Sequence, residues 1–535
     1  MPFGADDALA IGGVLLAFKG ALDGYLLIES IFEKDNQSRD LALSYNIQKR
    51  LLEKWGEFQN IDAPNPKDCR LSNTSRTDQD ITLKVLARIK TLHGEAEGFV
   101  KKHVNPTLTS QSGQSGSIAF NQTAVAELAL KQMQSKQRGR VSWSIKNKTK
   151  FSEVVRQLRE YNRDLTDLFN PRDAQIFDSV LPSQMLAGMS DEQAIKKLQD
   201  EEGDRVLMRH ATSLKLMQQG LSRAPAAQVI RDIEITPRPR GLSQHRRSLG
   251  VRNLRNIWIE WRPISNELGD NARQMVRDRQ RTLSGILSSI TDTSLRIPQH
   301  QGFIELDETS ENVTQTWIGL AYAVPRECSA KAPVSLCHVI SNCAEPPLGD
   351  KFKLAAALAQ SLSIFHSASW LHKAFRSDNV VFFEGDAVED SPYLSIANPF
   401  ITGFDVARPD QDVSVETRPT GKGAFDYYYH PGARKGASKA FDWYSFGVLM
   451  LEIAHWKLVP AILEEQNIAV ESRQDLEGIS KICMDSVEFL PPITGAMFSK
   501  IVDTCLNCSF GASGDEEMAS TVATNIVQVL ARLRA

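Results

Sequence analysis

A dominant charge of either sign is missing. Sixty-two Lys and Arg stand against 65 Asp and Glu, a net charge of -3. Such a balance argues against a dedicated nucleic-acid binder, whose surface carries a basic excess. Long apolar runs are missing too: none reaches the roughly 18 uninterrupted residues of a membrane span, so no constitutive transmembrane helix is expected. Asp6 and Asp7 occupy the place of a basic n-region, which speaks against a secretory signal. Cysteine is scarce. Seven residues, an odd number scattered over 535, read as reduced intracellular thiols rather than a disulfide framework. Cys505 and Cys508 form a lone CxxC, and Cys337, His338 and Cys343 lack a fourth ligand, so no metal site is expected. What remains is globular in composition, 42% hydrophobic and 24% charged. The length suits about three domains of ordinary size.

Residues 5–32 read as one long helix, interrupted only by Asp6, Asp7, Lys19, Asp23 and Glu29. Ala10, Gly13, Ala17, Gly20 and Gly24 recur at spacings of three and four, which puts them on one stripe where another helix backbone can approach. Two uses fit the stripe: tight packing in a water-soluble bundle, and insertion into a membrane when the helix is released. A Lys19–Asp23 pair, four residues apart, lowers the cost of insertion. Further helices are expected over 41–58, 81–102 and 122–137, with loops over 63–80 and 105–117. The acid-free stretch 131–150 interleaves Lys and Arg with Trp143, compatible with an anionic-lipid contact or with a solvated face anchored by the ring. An amphipathic helix follows, with Val154, Leu158, Tyr161, Leu165 and Leu168 on one face.

The apolar first helix, the Leu52-Glu53-Lys54-Trp55-Gly56-Glu57 element and the element running from Trp143 through Ile145, Lys148 and Lys150 to Phe151 come in the order of a known family. Over about residues 1–215 the chain resembles the fungal HeLo domain, also called the prion-inhibition and propagation domain. The resemblance implies an all-α helical bundle whose first helix can be expelled into a membrane, in proteins of programmed cell death and heterokaryon incompatibility. Residues 216–250, punctuated by Pro225, Pro237 and Pro239 and rich in Arg, are expected to be a basic linker or brace.

The C-terminal half begins with an alternating strand at 256–262, then a helix at 269–290, strands at 302–307 and 314–324, and a helix at 351–367. His372-Lys373-Ala374-Phe375-Arg376-Ser377-Asp378-Asn379, Gly403-Phe404-Asp405 and the run from Phe441 to Ile453 follow. In this order they resemble a protein kinase: catalytic loop, magnesium motif and F-helix. The resemblance covers 251–535 and implies an α+β bilobal fold, with an N-lobe of about 251–325 and a C-lobe of about 326–535.

Phosphoryl transfer needs a carboxylate to orient the hydroxyl, ligands for magnesium and a lysine for the phosphates. Set against the family's motifs, His372 and Asn379 are kept. Ala374 stands for the catalytic aspartate, Arg376 for the loop lysine, Gly403 for the metal-binding aspartate and Arg262 for the third-strand lysine. Asp405 and Asp378 are the nearest displaced acids. Asp442 is assigned to holding the loop backbone around His372. The chain is therefore expected to be a multidomain protein: a HeLo bundle joined to a pseudokinase, with no cofactor, and with ATP and magnesium only if it is instead a divergent kinase. A non-catalytic scaffold is the third reading. Expected partners are regulatory proteins, a membrane on activation and further copies of the chain, with no nucleic acid. The expected location is the cytoplasm, moving to the plasma membrane on activation. Residues 521–534 read as a helix rather than as the amyloid-forming tail of the HET-s type proteins.

Overall fold

The computed structural model describes residues 5–32, 39–104, 145–220, 227–236, 247–310, 313–325, 328, 332–383, 395–409, 425–466, 475–511 and 514–534. The expected helix 122–137, the loop 105–117 and Trp143, with the basic stretch up to residue 144, lie outside them. The chain divides into two compact units, Met1–Phe177 with Gln193–Glu201, and Asp178–Glu192 with Glu202–Ala535.

The first unit is helical. It comprises α1 (Ala5–Phe32), α2 (Arg39–Gln59), α3 (Arg76–Val104), α4 (Ile145–Asp167), the start of α5 (Pro171–Leu186) and nearly all of α6 (Glu192–Glu202). Helical spacing selects the buried face of α1, which is Ile11, Val14, Phe18, Ala21 and Tyr25. Ala10, Gly13, Ala17, Gly20 and Gly24 are all half-exposed beside that face. Two of them meet α3: a Cβ on Gly20 would lie 3.1 Å from the Lys90 side chain, and one on Gly24 2.5 Å from that of His93. Lys19 does not look to Asp23, because its ammonium lies 3.5 Å from Asp62 in the loop after α2.

The tryptophan–glycine step of α2 has a packing reason. Trp55 is buried and donates its indole N–H to the Leu165 carbonyl of α4 at 3.2 Å. The Phe18 ring lies against Gly56, where a Cβ would come within 2.2 Å of it. Any larger residue at 56 displaces α1. Polar ties close the unit. Asn162 of α4 donates to the Gln48 backbone carbonyl at 2.9 Å, and Gln48 donates to Glu201 of α6 at 2.9 Å.

The second unit takes the end of α5 and, from Glu202 onward, α7 (Val206–Gln218) and an antiparallel five-stranded sheet of order β1-β2-β3-β5-β4. Its strands are β1 (Glu234–Thr236), β2 (Arg247–Arg252), β3 (Arg255–Pro263), β4 (His300–Ser310) and β5 (Val313–Ala323). Within the stretch expected as a linker, β1 and most of β2 thus build the sheet. Helix α8 (Asp270–Ser288) falls between β3 and β4 and lies on β4, where Ser284 hydroxyl and His300 Nε2 are 2.7 Å apart. One face of the sheet buries Ile257, Ile259, Trp261, Ile304 and Ala321.

A mostly helical part follows. It contains β6 (Val334–Ser335), α9 (Leu336–Asn342), α10 (Leu348–Ser367), β7 (Trp370–Leu371), β8 (Val380–Phe382), β9 (Phe400–Ile401) and β10 (Arg408–Pro409). Next come α11 (Lys439–His455), α12 (Val459–Glu465), α13 (Leu476–Asp485), α14 (Pro491–Thr494), α15 (Ala496–Leu506), α16 (Asp515–Val522) and α17 (Gln528–Arg532). Helix α11 is buried on nearly every side from Asp442 to Ala454, which explains its almost continuous apolar sequence. Among the described residues no single helix is long and apolar enough to cross a membrane.

Candidate functional site

The loop 372–379 carries most of the residues singled out by sequence, and its shape is imposed from behind. Asp442, in the first turn of α11, accepts hydrogen bonds from the backbone N–H groups of His372 at 2.7 Å and Lys373 at 2.8 Å. Lys373 has φ 64, a left-handed conformation unusual for a side-chain-bearing residue, and these bonds hold it there. His366 of α10 lies 3.1 Å from the same carboxylate. Burial opposes the charge of Asp442, yet the hydrogen bond and proton of His366 and the N–H of His372 hold its carboxyl below the usual range. His372 itself is buried, which lowers its imidazole to about 4 and keeps it neutral near pH 7. Its ring packs against Phe375 and Phe404.

The front of the loop faces the sheet. Antiparallel register puts Arg247 of β2 directly opposite Glu260 of β3, so both side chains leave the sheet on one face. Their ion pair measures 3.0 Å. The Arg247 guanidinium also donates to the Asp378 carbonyl at 2.7 Å and to Asn379 Oδ1 at 2.8 Å, and lies 5.4 Å above the Trp258 ring. Glu260 uses its second oxygen to accept the Gly403 N–H at 2.9 Å. Asn379 donates in turn to the Ala374 carbonyl at 2.7 Å, and Thr402 N–H donates to the Asn379 carbonyl at 2.8 Å. A single connected network therefore fills the space between β2, β3, the loop and the β8–β9 hairpin.

Gly403 is required there. Its φ is +77, and a Cβ would stand 2.2 Å from Asn379 Nδ2. Ala374 is buried and presents a methyl group. Arg376 lays its guanidinium 3.9 Å from the centre of the Phe425 ring, with Nε 4.0 Å from Asp378. Arg262 is half-buried two residues beyond Glu260, opposite Ile318 of β5. Asp405 lies in the short turn Phe404–Val406, and its side chain is outside the described residues. The structure thus brings together His372, Ala374, Asn379, Gly403 and Asp442.

Sequence reasoning missed Arg247, Glu260 and Thr402. One sign was present: Glu260 is the single acid inside the apolar run from Ile257 to Trp261. Arg247 falls within the Arg-rich stretch expected as a linker, and nothing local distinguishes it.

Beneath the loop lies a second network. The Ser377 and Tyr428 hydroxyls are 2.9 Å apart, Tyr428 donates to Glu452 at 2.7 Å, and Val459 N–H donates to the other Glu452 oxygen at 3.2 Å. Burial raises the Glu452 carboxyl to about 7. In the CxxC of Cys505 and Cys508, burial pushes Cys508 up to about 12 and Cys505 well above its ordinary range. Among the described residues, no group of three or more His, Cys, Asp or Glu is placed to hold a metal ion.

The network is closed upon itself. A carboxylate, an amide oxygen and a guanidinium that could meet phosphate or metal are bonded to one another, and the loop position assigned to a base carries a methyl group.

Residues 296–533 match a family model described as a domain of unknown function, DUF7580. No curated protein matches the chain in sequence. Among solved structures the chain is similar to one titled "Structure of vaccinia related kinase 3", at 14% identity and a TM-score of 0.36, covering 59% of this chain and 95% of that one. Residues 8–199 match the model described as HeLo, prion-inhibition and propagation. That match assigns residues 8–199, though not the chain as a whole, to the HeLo family.

Proposed function

We propose that the chain is a HeLo-type effector of programmed cell death or incompatibility, restrained by a kinase-like module that does no chemistry. The first half of this reading rests on the HeLo match over residues 8–199. For the second, one observation carries the weight: the Arg247–Glu260–Asn379 network occupies the cleft in which a nucleotide's phosphates and magnesium would have to sit. Glu260 sets a carboxylate against that space, so a triphosphate entering it meets like charge and must also break four or more hydrogen bonds. The strand order β1-β2-β3-β5-β4, the helix between β3 and β4 and the carboxylate of Asp442 on the loop backbone favour a kinase-like arrangement. With this reading the kinase-like module takes in β1 and β2, so it begins before the expected limit of 251.

In this view the second unit is a sensor or brake, and a signal shifts the first unit toward releasing α1. A protein regulator is the natural source of that signal, and self-association on the membrane the natural consequence. The full chain should neither hydrolyse ATP with magnesium nor bind it in a calorimetric titration. Magnesium-dependent turnover that disappears in Asp405→Ala would establish a divergent kinase instead. Leakage of dye from liposomes tests the effector half: a folded chain that never permeabilises vesicles of any composition, even with its activating partner present, is a scaffold.

A further inference from the structure

The hairpin that joins β2 to β3 turns through two residues, Asn253 with φ 51 and Leu254 with φ 61. A left-handed pair suits so tight a turn because it follows the twist of the strands, and asparagine is at home in the first position. Glycine is the residue that suits the second. Leucine is strained there by its Cβ, and the fold gives it nothing in return: its side chain is 98% exposed at the apex. Single exposed apolar residues are ordinary on protein surfaces. A bulky one held left-handed and wholly in water is not, because backbone and solvent both disfavour it.

The shoulders of the turn repeat the pattern. Arg252 and Arg255 are paired directly across the hairpin, where like charges disfavour each other. Arg252 Nε lies 3.6 Å from the Asp232 carboxylate, while Arg255 is exposed, as is Arg231 beside Asp232. The described acids next to them are Asp232, engaged by Arg252, and Glu234, which stands opposite Val251 and so farther from the apex. Val251, 42% exposed, extends the apolar surface back from Leu254. An apolar point with cationic shoulders is unfavourable in water. It is favourable where an apolar phase lies behind a layer of anions.

A rigid protein partner fits the turn less well. Stable protein interfaces bury about 800 Å² on each side, and one leucine with part of a valine offers a small fraction of that. A fluid bilayer closes around a point without needing a matching surface.

We propose that the β2–β3 turn is a membrane-contact tip, in which Leu254 enters the acyl boundary of an anionic leaflet and Arg231 and Arg255 rest among its headgroups. The contact is reversible and makes no covalent bond. It belongs to the second unit, does not depend on release of α1, and stands whether or not the first unit permeabilises a bilayer.

Co-sedimentation of the full chain with phosphatidylserine–phosphatidylcholine vesicles, and with phosphatidylcholine alone, tests it. Binding is expected on the anionic vesicles, weaker on the neutral ones and falling with added salt. Leu254→Gly should weaken it about tenfold without lowering the melting temperature, since glycine suits the left-handed position. A structural role for Leu254 would move both readings down together. Leu254→Trp should bind at least as well as the wild type, because the indole favours the headgroup layer. Arg231→Gln and Arg255→Gln should each cost about fivefold on anionic vesicles and little on neutral ones.

No sedimentation of the wild type with anionic vesicles overturns the proposal, and so does binding that Leu254→Gly leaves unchanged. A dimer that Leu254→Gly abolishes, without vesicle binding, gives the turn to a second copy and overturns it as well. Dye leakage in the same samples reports on the first unit. Binding sensitive to Leu254→Gly but without leakage upholds the tip and counts against the effector reading; leakage with binding indifferent to residue 254 does the reverse.

Discussion

The two sides of the loop 372–379 obey different rules. Behind it, Asp442 and His366 hold a backbone with a left-handed Lys373. In front, Ala374, Gly403, Arg247 and Glu260 fill the space that this shape would present to a substrate. Loop geometry and loop chemistry are therefore separable: the bonds that hold the backbone are intact, while the surface in front is closed by an internal ion pair. Under the proposed function, the value of such a loop lies in what it braces.

Four experiments can break or sharpen that contrast. Asp442→Ala should have the largest effect, about 3–5 kcal/mol of lost stability, because it leaves two buried N–H groups and His366 without their acceptor. Chemical denaturation reads it, and a loss below the error of extrapolation would mean that the loop does not need its support. Next comes Gly403→Asp, which should cost about 2–4 kcal/mol from the left-handed backbone and the collision with Asn379, and should confer no magnesium-dependent ATP turnover. A stable variant that gains turnover would show that the front was one substitution away from chemistry.

Arg247→Met should cost about 2–3 kcal/mol, less than a fully buried pair, since Arg247 remains partly accessible. Combined with Glu260→Gln, whose amide oxygen still accepts from Gly403 N–H, much of that loss should be recovered. The double-mutant cycle should give a coupling of about 1–2 kcal/mol. Additivity within error would mean that the pair is not a unit.

The smallest effect concerns pH. Burial raises the Glu452 carboxyl from 4.5 to about 7, so between those values the folded chain holds a proton that the unfolded chain has released. This residue's contribution is complete below pH 4.5 and lost as pH rises through 7. The buried His93 and His300, lowered to about 3, and His372, lowered to about 4, act in the opposite direction: stability is lost as pH falls from 6.5 toward those values. The signal therefore lies in the difference between wild type and Glu452→Gln. The variant should gain about 2 kcal/mol relative to wild type at pH 8 over pH 5, the acceptor it loses being a pH-independent offset that cancels in this difference. A thermal-melting difference that stays flat with pH would place the proton elsewhere.

Local patterns made much of the architecture legible in the sequence. The strand expected at 256–262 is β3 within one residue at each end, because alternation and β-branched or aromatic residues agree there. The helix expected from 81 begins at Arg76 instead. Its start lies in a loop-like composition, though Ser75 caps it, accepting from Asp78 N–H at 3.1 Å and donating its hydroxyl to the Asp78 carboxylate at 2.7 Å. The cleft is different in kind. Arg247 meets Glu260 only through the register of a hairpin and meets Asn379 across 132 positions of sequence, so no local pattern announces the pair. Ala374 and Gly403 show by their chemistry what is not there; what fills the space needed three dimensions.

Arg247 also has a mechanical consequence. Its guanidinium ties the sheet to the loop and to Asn379 at points that would have to separate if the sheet were to swing away from the helical part. A clasp in that position removes a hinge. Force or torque applied at one end of the second unit is then delivered at the other with little lost to bending, as through a lever rather than a jaw.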